Sequence, residues 1–308
     1  MSYCLNDVES KKIIEYFGDE FYKKVLNYLE IYSEKWKLNI LRLVDYYSIN
    51  CIFLCRSEIY GDTVLKISDN THEDFMSEYN VLREYNGKSF CKLFACDTEN
   101  KVMLIQRIIP GVQLKAEPIT KNRLAVFSSL YNKLHIKPTD PALYQRYIDK
   151  VNYYADYISN RGDCKDLYLH MTKAKNICGD IYALYNKEML LHGDLNYTNI
   201  LLRDDGKYVI IDPQGLLGDP VFDIPRYILT EYYDICKIKD LTYEQRFNRI
   251  DGIIEYLESS LNIPAKIIRQ CFYIETVTFE SWSASTGNYN INNVIFAENI
   301  MLRGQTIF

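Results

Sequence analysis

Residues 190–202 limit what this chain can become more than any other stretch. They read Leu-Leu-His-Gly-Asp-Leu-Asn-Tyr-Thr-Asn-Ile-Leu-Leu, with apolar residues on both sides of a polar centre and Asp194 five residues before Asn199. A second polar insertion follows, where Val209-Ile210-Ile211 runs into Asp212-Pro213-Gln214-Gly215. Flanks this apolar predict short buried strands, so the polar residues sit in loops at strand ends. Asp212 closes its strand, which brings its carboxylate out at a sheet edge near the first loop. The plain alternative is a buried turn capped by carboxylates, since Asp, Gly and Asn are frequent turn formers.

The residue types suit phosphoryl transfer, which asks a protein mainly for positioning and charge neutralisation. One carboxylate orients the attacking hydroxyl and accepts its proton. Another holds Mg2+, a hard cation that prefers oxygen ligands, and a neutral amide oxygen completes the shell. Asp194, Asp212 and Asn199 fit these three roles.

His192-Gly193-Asp194-Leu195 followed by Asn199 resembles the catalytic loop of aminoglycoside phosphotransferases and their kinase-like relatives. Asp212-Pro213-Gln214-Gly215 stands where protein kinases carry Asp-Phe-Gly. The continuation Leu216-Leu217-Gly218-Asp219-Pro220-Val221-Phe222-Asp223 is similar to the aminoglycoside/hydroxyurea kinases, the group that includes streptomycin 6-kinases. The resemblance implies an α+β, two-lobed protein-kinase-like fold, with a small antiparallel-sheet N-lobe and a mainly helical C-lobe. It implies ATP or GTP as phosphoryl donor and Mg2+ as cofactor, and it makes His192 a brace of the loop.

The same resemblance asks for an upstream lysine and glutamate. Lys66 lies in the apolar strand Thr63-Val64-Leu65-Lys66-Ile67, where a cation is costly without a counter-charge. Nucleotide phosphates supply one, and Glu78 on the next helix supplies another, although Glu73, Asp74 and Glu84 are close by. A snorkelling lysine is the alternative. The phosphate-covering turn is expected around Ser48, in a stretch that lacks the glycines of protein kinases. Residues 103–111 resemble the linker between kinase lobes, with purine contacts expected at 106–108, taken here as Gln106 and Ile108. His135 closes a Leu-His helix end of the family type and is expected to be structural.

The rest of the chain reads consistently with this. One or two helices are expected over 7–36, three antiparallel strands over 38–67, a helix over 72–86, and strands over 90–97 and 101–107. Pro110-Gly111 punctuates the chain. Beyond it, helices are expected over 119–136, 141–160 and 165–187, then near 220–234, 243–260, 264–280 and from about 290. The expected division is 1–107, a nucleotide-binding lobe with extra N-terminal helices, and 108–308, a helical lobe with the catalytic loop and substrate site. With a net charge of −5 and no basic face, the chain is not expected to bind nucleic acid. No apolar run is long enough to span a bilayer, and the opening residues lack the basic and apolar regions of a signal peptide, so a cytoplasmic monomer off the membrane is expected. The nine cysteines lack zinc-knuckle spacing and read as reduced thiols.

The acceptor is the least legible part. Glu231, Asp234, Glu275 and Glu280 are candidates for a cationic aminoglycoside because of where they fall, and a solvated helix face is the competing reading for each. Trp282 and Tyr289 are candidates to stack on a ring. Three functions are therefore carried forward: a phosphotransferase acting on a streptomycin-like aminoglycoside, a kinase of the same fold acting on a metabolite such as choline or a thiosugar, and a non-catalytic nucleotide-binding module. Intact Lys66, Asp194, Asn199 and Asp212 weigh against the third.

Overall fold

The computed structural model describes residues 3–44, 50–69 and 74–303. It divides into two compact units, one comprising residues 1–112 and 201–211, the other 113–200 and 212–308.

The first unit opens with α1 (Asp7–Phe17) and α2 (Asp19–Lys35). Asn6 and Glu9 cap each other's backbone groups at the start of α1, and Gly18, at φ +85°, separates the two helices. Then come β1 (Leu38–Leu43), β2 (Asn50–Ser57), β3 (Gly61–Ser68), α3 (Asp74–Tyr85), β4 (Leu93–Asp97) and β5 (Val102–Gln106). The five strands form one antiparallel sheet in the order β1-β2-β3-β5-β4. Alternation along β2 buries Cys51, Phe53 and Cys55. These pack with Val25, Leu29, Tyr32 and Trp36 of the amino-terminal segment in one core, so the extra helices complete the sheet's apolar face.

Pro110 and Gly111 do more than punctuate the chain. They open a short strand, β6 (Pro110–Gln113), at the edge of a three-stranded sheet with β9 (Ile200–Arg203) and β10 (Tyr208–Ile210). An edge position tolerates proline because no ladder partner is lost on its outer side. Gly111 has φ +70°, and a Cβ there would lie 2.6 Å from the Ile108 carbonyl oxygen, so only glycine fits.

The second unit is mainly helical: α4 (Thr120–Leu134), α5 (Tyr147–Ser159), α6 (Lys165–Leu184), α7 (Ile224–Lys237), α8 (Tyr243–Leu261), α9 (Ala265–Ala284) and α10 (Ile291–Arg303). Three very short strands, β7 (Gln145–Arg146), β8 (Met189–Leu191) and β11 (Leu216–Gly218), form a second three-stranded sheet in the order β7-β11-β8. Their presence corrects the expected helix over 141–160. Asp140 caps a single turn at Pro141–Leu143, and Gln145 and Arg146 then pair with Leu216 and Leu217, so α5 starts only at Tyr147. That pairing joins segments about seventy residues apart and leaves no trace in local periodicity. No described helix is long and apolar enough to cross a membrane.

Candidate active site

In the first unit, Lys66 lies on β3 between Ile52 of β2 and Met103 of β5. Its ammonium group donates to Glu78 Oε2 at 2.5 Å, and both side chains are almost fully buried. A buried pair of this kind is held by mutual attraction, and removing one partner costs about 3–5 kcal/mol. Glu78, the acid expected from the sequence, meets Lys66. Ser48 lies outside the described residues.

Segment 106–108 is uneven in its bonding. Gln106 N–H donates to the Lys92 carbonyl at 2.7 Å, and its side-chain oxygen accepts from Lys92 N–H at 3.3 Å. Arg107 N–H donates to the Asp62 carbonyl at 3.2 Å. Gln106 is thus committed to its neighbours, and among the described residues Ile108 N–H has no hydrogen-bond partner. Only Ile108 of the two linker residues offers a backbone donor there.

In the second unit, the segment 192–199 leaves β8 at Leu191 and is gripped from behind. The carboxylate of Asp223, only 1% exposed, accepts from His192 N–H at 2.7 Å, from Gly193 N–H at 2.8 Å, and lies 2.9 Å from His135 Nε2. Burial pushes this carboxyl up, but His135, the nearby His192 and the Gly193 amide more than offset it and hold it below the usual carboxylate range. His192 also accepts the Asp194 N–H at 3.1 Å, and its carbonyl accepts from Gln214 and Gly215 at 2.8 and 3.1 Å, which ties the 212–215 turn to the loop. Gly193 is at φ +80°, which disfavours any side chain, and a Cβ there would press at 3.1–3.2 Å on the side chains of Gln214 and Leu216. His192 and His135 are accordingly braces.

The loop presents Asp194 half-buried. Asn199 Nδ2 donates to both Asp194 Oδ2 and the Asp194 carbonyl at 3.0 Å, and Arg226 Nε donates to Asp194 Oδ1 at 2.5 Å. Arg226 reaches Glu275 Oε1 at 3.3 Å, and Glu275 accepts from the Tyr147 hydroxyl at 3.1 Å. Burial lowers the Arg226 pKa, but the charges of Asp194 and Glu275 outweigh it and keep the guanidinium firmly protonated. Sequence reasoning passed over Arg226. A signal was available, since a cation three residues into a helix opposes the helix dipole and calls for a specific partner.

Asp212 is exposed and sits at φ +59°, a strained conformation for a residue with a Cβ. Asn199 commits its amide nitrogen to Asp194, which leaves Oδ1 for another partner. A carboxylate and an amide oxygen are a donor set that fits a hard cation such as Mg2+.

The acids expected to meet a cationic acceptor are mostly engaged elsewhere. Glu231 is buried and takes Arg123 bidentately at 2.8 and 2.7 Å, with the Tyr227 hydroxyl at 3.2 Å. Glu280, 2% exposed, accepts from the Tyr233 hydroxyl, Asn290 N–H and Asn293 Nδ2 at 3.0, 2.6 and 2.7 Å. Each of these two carboxylates is thus held by three internal donors and drawn into the packing of its own unit. Asp234 is half-buried and binds Lys115, Lys237 and the Tyr197 hydroxyl. Burial raises its pKa, but these donors lower it to about 2. Because Tyr197 belongs to the loop, Asp234 acts as a further anchor. Tyr289 donates to Asp166, whereas Trp282 is half-exposed beside Phe279.

The sequence profile described as aminoglycoside/hydroxyurea antibiotic resistance kinase matches residues 56–287, about three quarters of the chain. The chain belongs to this family. Among curated relatives it is similar to the streptomycin 6-kinase of Streptomyces griseus, at 26% identity over 149 residues, 46% of this chain and 47% of that protein. It is also similar to a probable ketoamine kinase of Staphylococcus aureus, at 33% identity over 124 residues, 36% of this chain and 43% of that protein. The match therefore spans under half the length of either relative. Among solved structures, choline kinase LicA from Streptococcus pneumoniae superposes with a TM-score of 0.64 at 13% identity, covering 91% of this chain and 99% of that one. The fold is thus kinase-like, with an antiparallel-sheet unit and a helical unit, as the family resemblance implied.

Proposed function

We propose that this family member transfers the γ-phosphoryl group of ATP or GTP to a hydroxyl of a small molecule, with a streptomycin-like aminoglycoside as acceptor. The observation that carries the reading is the state of Asp194: a carboxylate oriented by Asn199 and Arg226, on a loop whose backbone is clamped by Asp223. Such a group accepts the acceptor's hydroxyl proton as the oxygen attacks phosphorus and the nucleoside diphosphate leaves. Lys66, oriented by Glu78, binds nucleotide phosphates, and the Ile108 N–H hydrogen-bonds the base edge. Asp212 and Asn199 hold Mg2+, which supplies neutralisation of phosphate charge when bound.

A second reading, a kinase for a less cationic metabolite, is favoured by one feature. Glu231 and Glu280 are sealed by internal donors, and a cation, Arg226, stands beside Asp194. Both readings are tested by offering ATP and GTP with Mg2+ to streptomycin, other aminoglycosides, choline, a ketoamine and neutral polyols, with phosphorylated product measured by mass spectrometry. Fastest turnover of an aminoglycoside supports the first reading, and fastest turnover of choline, ketoamine or polyol selects the second. No phosphorylated product from any acceptor rejects both and leaves the non-catalytic module.

A further inference from the structure

We infer that Arg226 is a positioning residue for Asp194, fixing the orientation of the carboxylate that receives the acceptor's proton. The inference rests on the kinase reading above. A carboxylate turns freely about its last torsion, which has broad, two-fold wells. Here two donors from different elements pin it: Asn199 Nδ2 on Oδ2 at 3.0 Å and Arg226 Nε on Oδ1 at 2.5 Å. The first donor comes from the loop itself. The second comes from the first turn of α7, so among the described residues it is the donor that ties the carboxylate to a helix.

Arg226 is in turn prevented from wandering. Its Nη1 meets Glu275 Oε1 on α9 at 3.3 Å, and its guanidinium lies over the Phe279 ring at 4.7 Å to the centroid. The Tyr147 hydroxyl, at the start of α5, holds the other Glu275 oxygen at 3.1 Å. Three helices therefore converge on the orientation of one carboxylate through one guanidinium. Lysine cannot replace this geometry, because a single ammonium lacks the planar fork that serves two carboxylates at once. An arginine in the first turn of α7 also opposes the helix dipole, so the helix's own stability does not explain it. Misplacing a reacting group by about 1 Å costs on the order of 10²-fold in rate, which makes orientation, rather than binding, the quantity Arg226 controls.

The test measures phosphate transfer to the fastest acceptor of the panel above, for wild type, Arg226→Met, Arg226→Lys, Asp194→Asn and the Asp194→Asn/Arg226→Met pair. Arg226→Met is expected to lower kcat about 10–100-fold, the scale of a misplaced reacting group, with nucleotide KM essentially unchanged. Arg226→Lys is expected to recover part of the loss. In the Asp194→Asn background, Arg226→Met is expected to cost nothing further, because no carboxylate remains to be oriented. Should Arg226→Met fold poorly because Glu275 is left buried without its partner, the Arg226→Met/Glu275→Gln pair removes that orphaned charge and is expected to show the same kcat loss. Wild-type kcat in folded Arg226→Met, or a full additional loss in the Asp194→Asn background, overturns the inference. If Asp194→Asn itself keeps wild-type turnover, the proposed base is wrong and both readings fall. An inactive Asp194→Asn with an unimpaired Arg226→Met removes only the positioning role.

Discussion

Asp223 offers the sharpest quantitative test, because one buried carboxylate carries three donors. Asparagine at this site keeps the shape but loses the charge, and its amide group turns a donor toward the donors of His192, Gly193 and His135. Hydrogen bonds to a charged group are worth about 1.5–3 kcal/mol each. The isosteric residue still accepts at one oxygen, so a loss of about 3–5 kcal/mol is expected, the range seen when a buried ion pair loses a partner. For a domain the size of the helical unit, each kcal/mol shifts Tm by about 2–4 °C, so thermal unfolding of Asp223→Asn is expected about 10 °C below wild type. Catalysis suffers too, since the two amides released belong to the residues just before Asp194. A fall in kcat on the order of 10²-fold is expected, the cost of about 1 Å of misplacement. The pH dependence has a definite sign. The native carboxyl titrates below its ordinary value of about 3.9, so its stabilisation is fully present above that value and is lost as pH falls toward the lower native one. The Tm gap between wild type and variant is therefore expected to narrow on acidification below about pH 4. A Tm within 2 °C of wild type at neutral pH, together with unchanged kcat, would refute the role given to Asp223; the threshold is about one kcal/mol at roughly 2 °C each.

Three further predictions concern the rest of the site. Lys66→Ala and Glu78→Ala are each expected to impair turnover, with strong non-additivity in the double variant because the residues form one buried pair; additive losses in a double-mutant cycle would show that the pair does not act as a unit. Asp212→Ala is expected to raise the magnesium concentration needed for turnover well above that of Asn199→Ala, since a carboxylate contributes charge and an amide does not; an unchanged magnesium titration rejects the metal role. Glu280→Gln is expected to lower Tm while leaving acceptor KM unchanged, because its oxygens serve Tyr233, Asn290 and Asn293; a large KM increase without loss of stability would return Glu280 to the acceptor.

Much of this protein was legible in its sequence, for reasons that are local. Strand and helix periods follow from which residues face the core, so β1 to β5 and the long helices of the second unit, apart from the start of α5, were readable to within a few residues. The candidate loop at 192–199 drew attention because a polar centre stands between apolar strands, with Asp194 five residues before Asn199. Lys66 stood out as a cation in an apolar strand, and its partner lay only one helix away. Where partners are distant in the chain, sequence says little. The strand at Gln145 and Arg146 exists only because β11 arrives beside it. Glu231 and Glu280 looked as available as any acid on a helix until packing supplied Arg123, Tyr233 and the turn before α10 to occupy them. Arg226 stands out in sequence only as a cation near a helix start, and its partners are set because α7 and α9 bring it between Asp194 and Glu275. Periodicity and motif spacing record which residues must be inside and which must stand close along the chain. Which buried charge answers which is decided by packing alone, because a carboxylate's partner is chosen by distance in space and by the cost of leaving it unpaired.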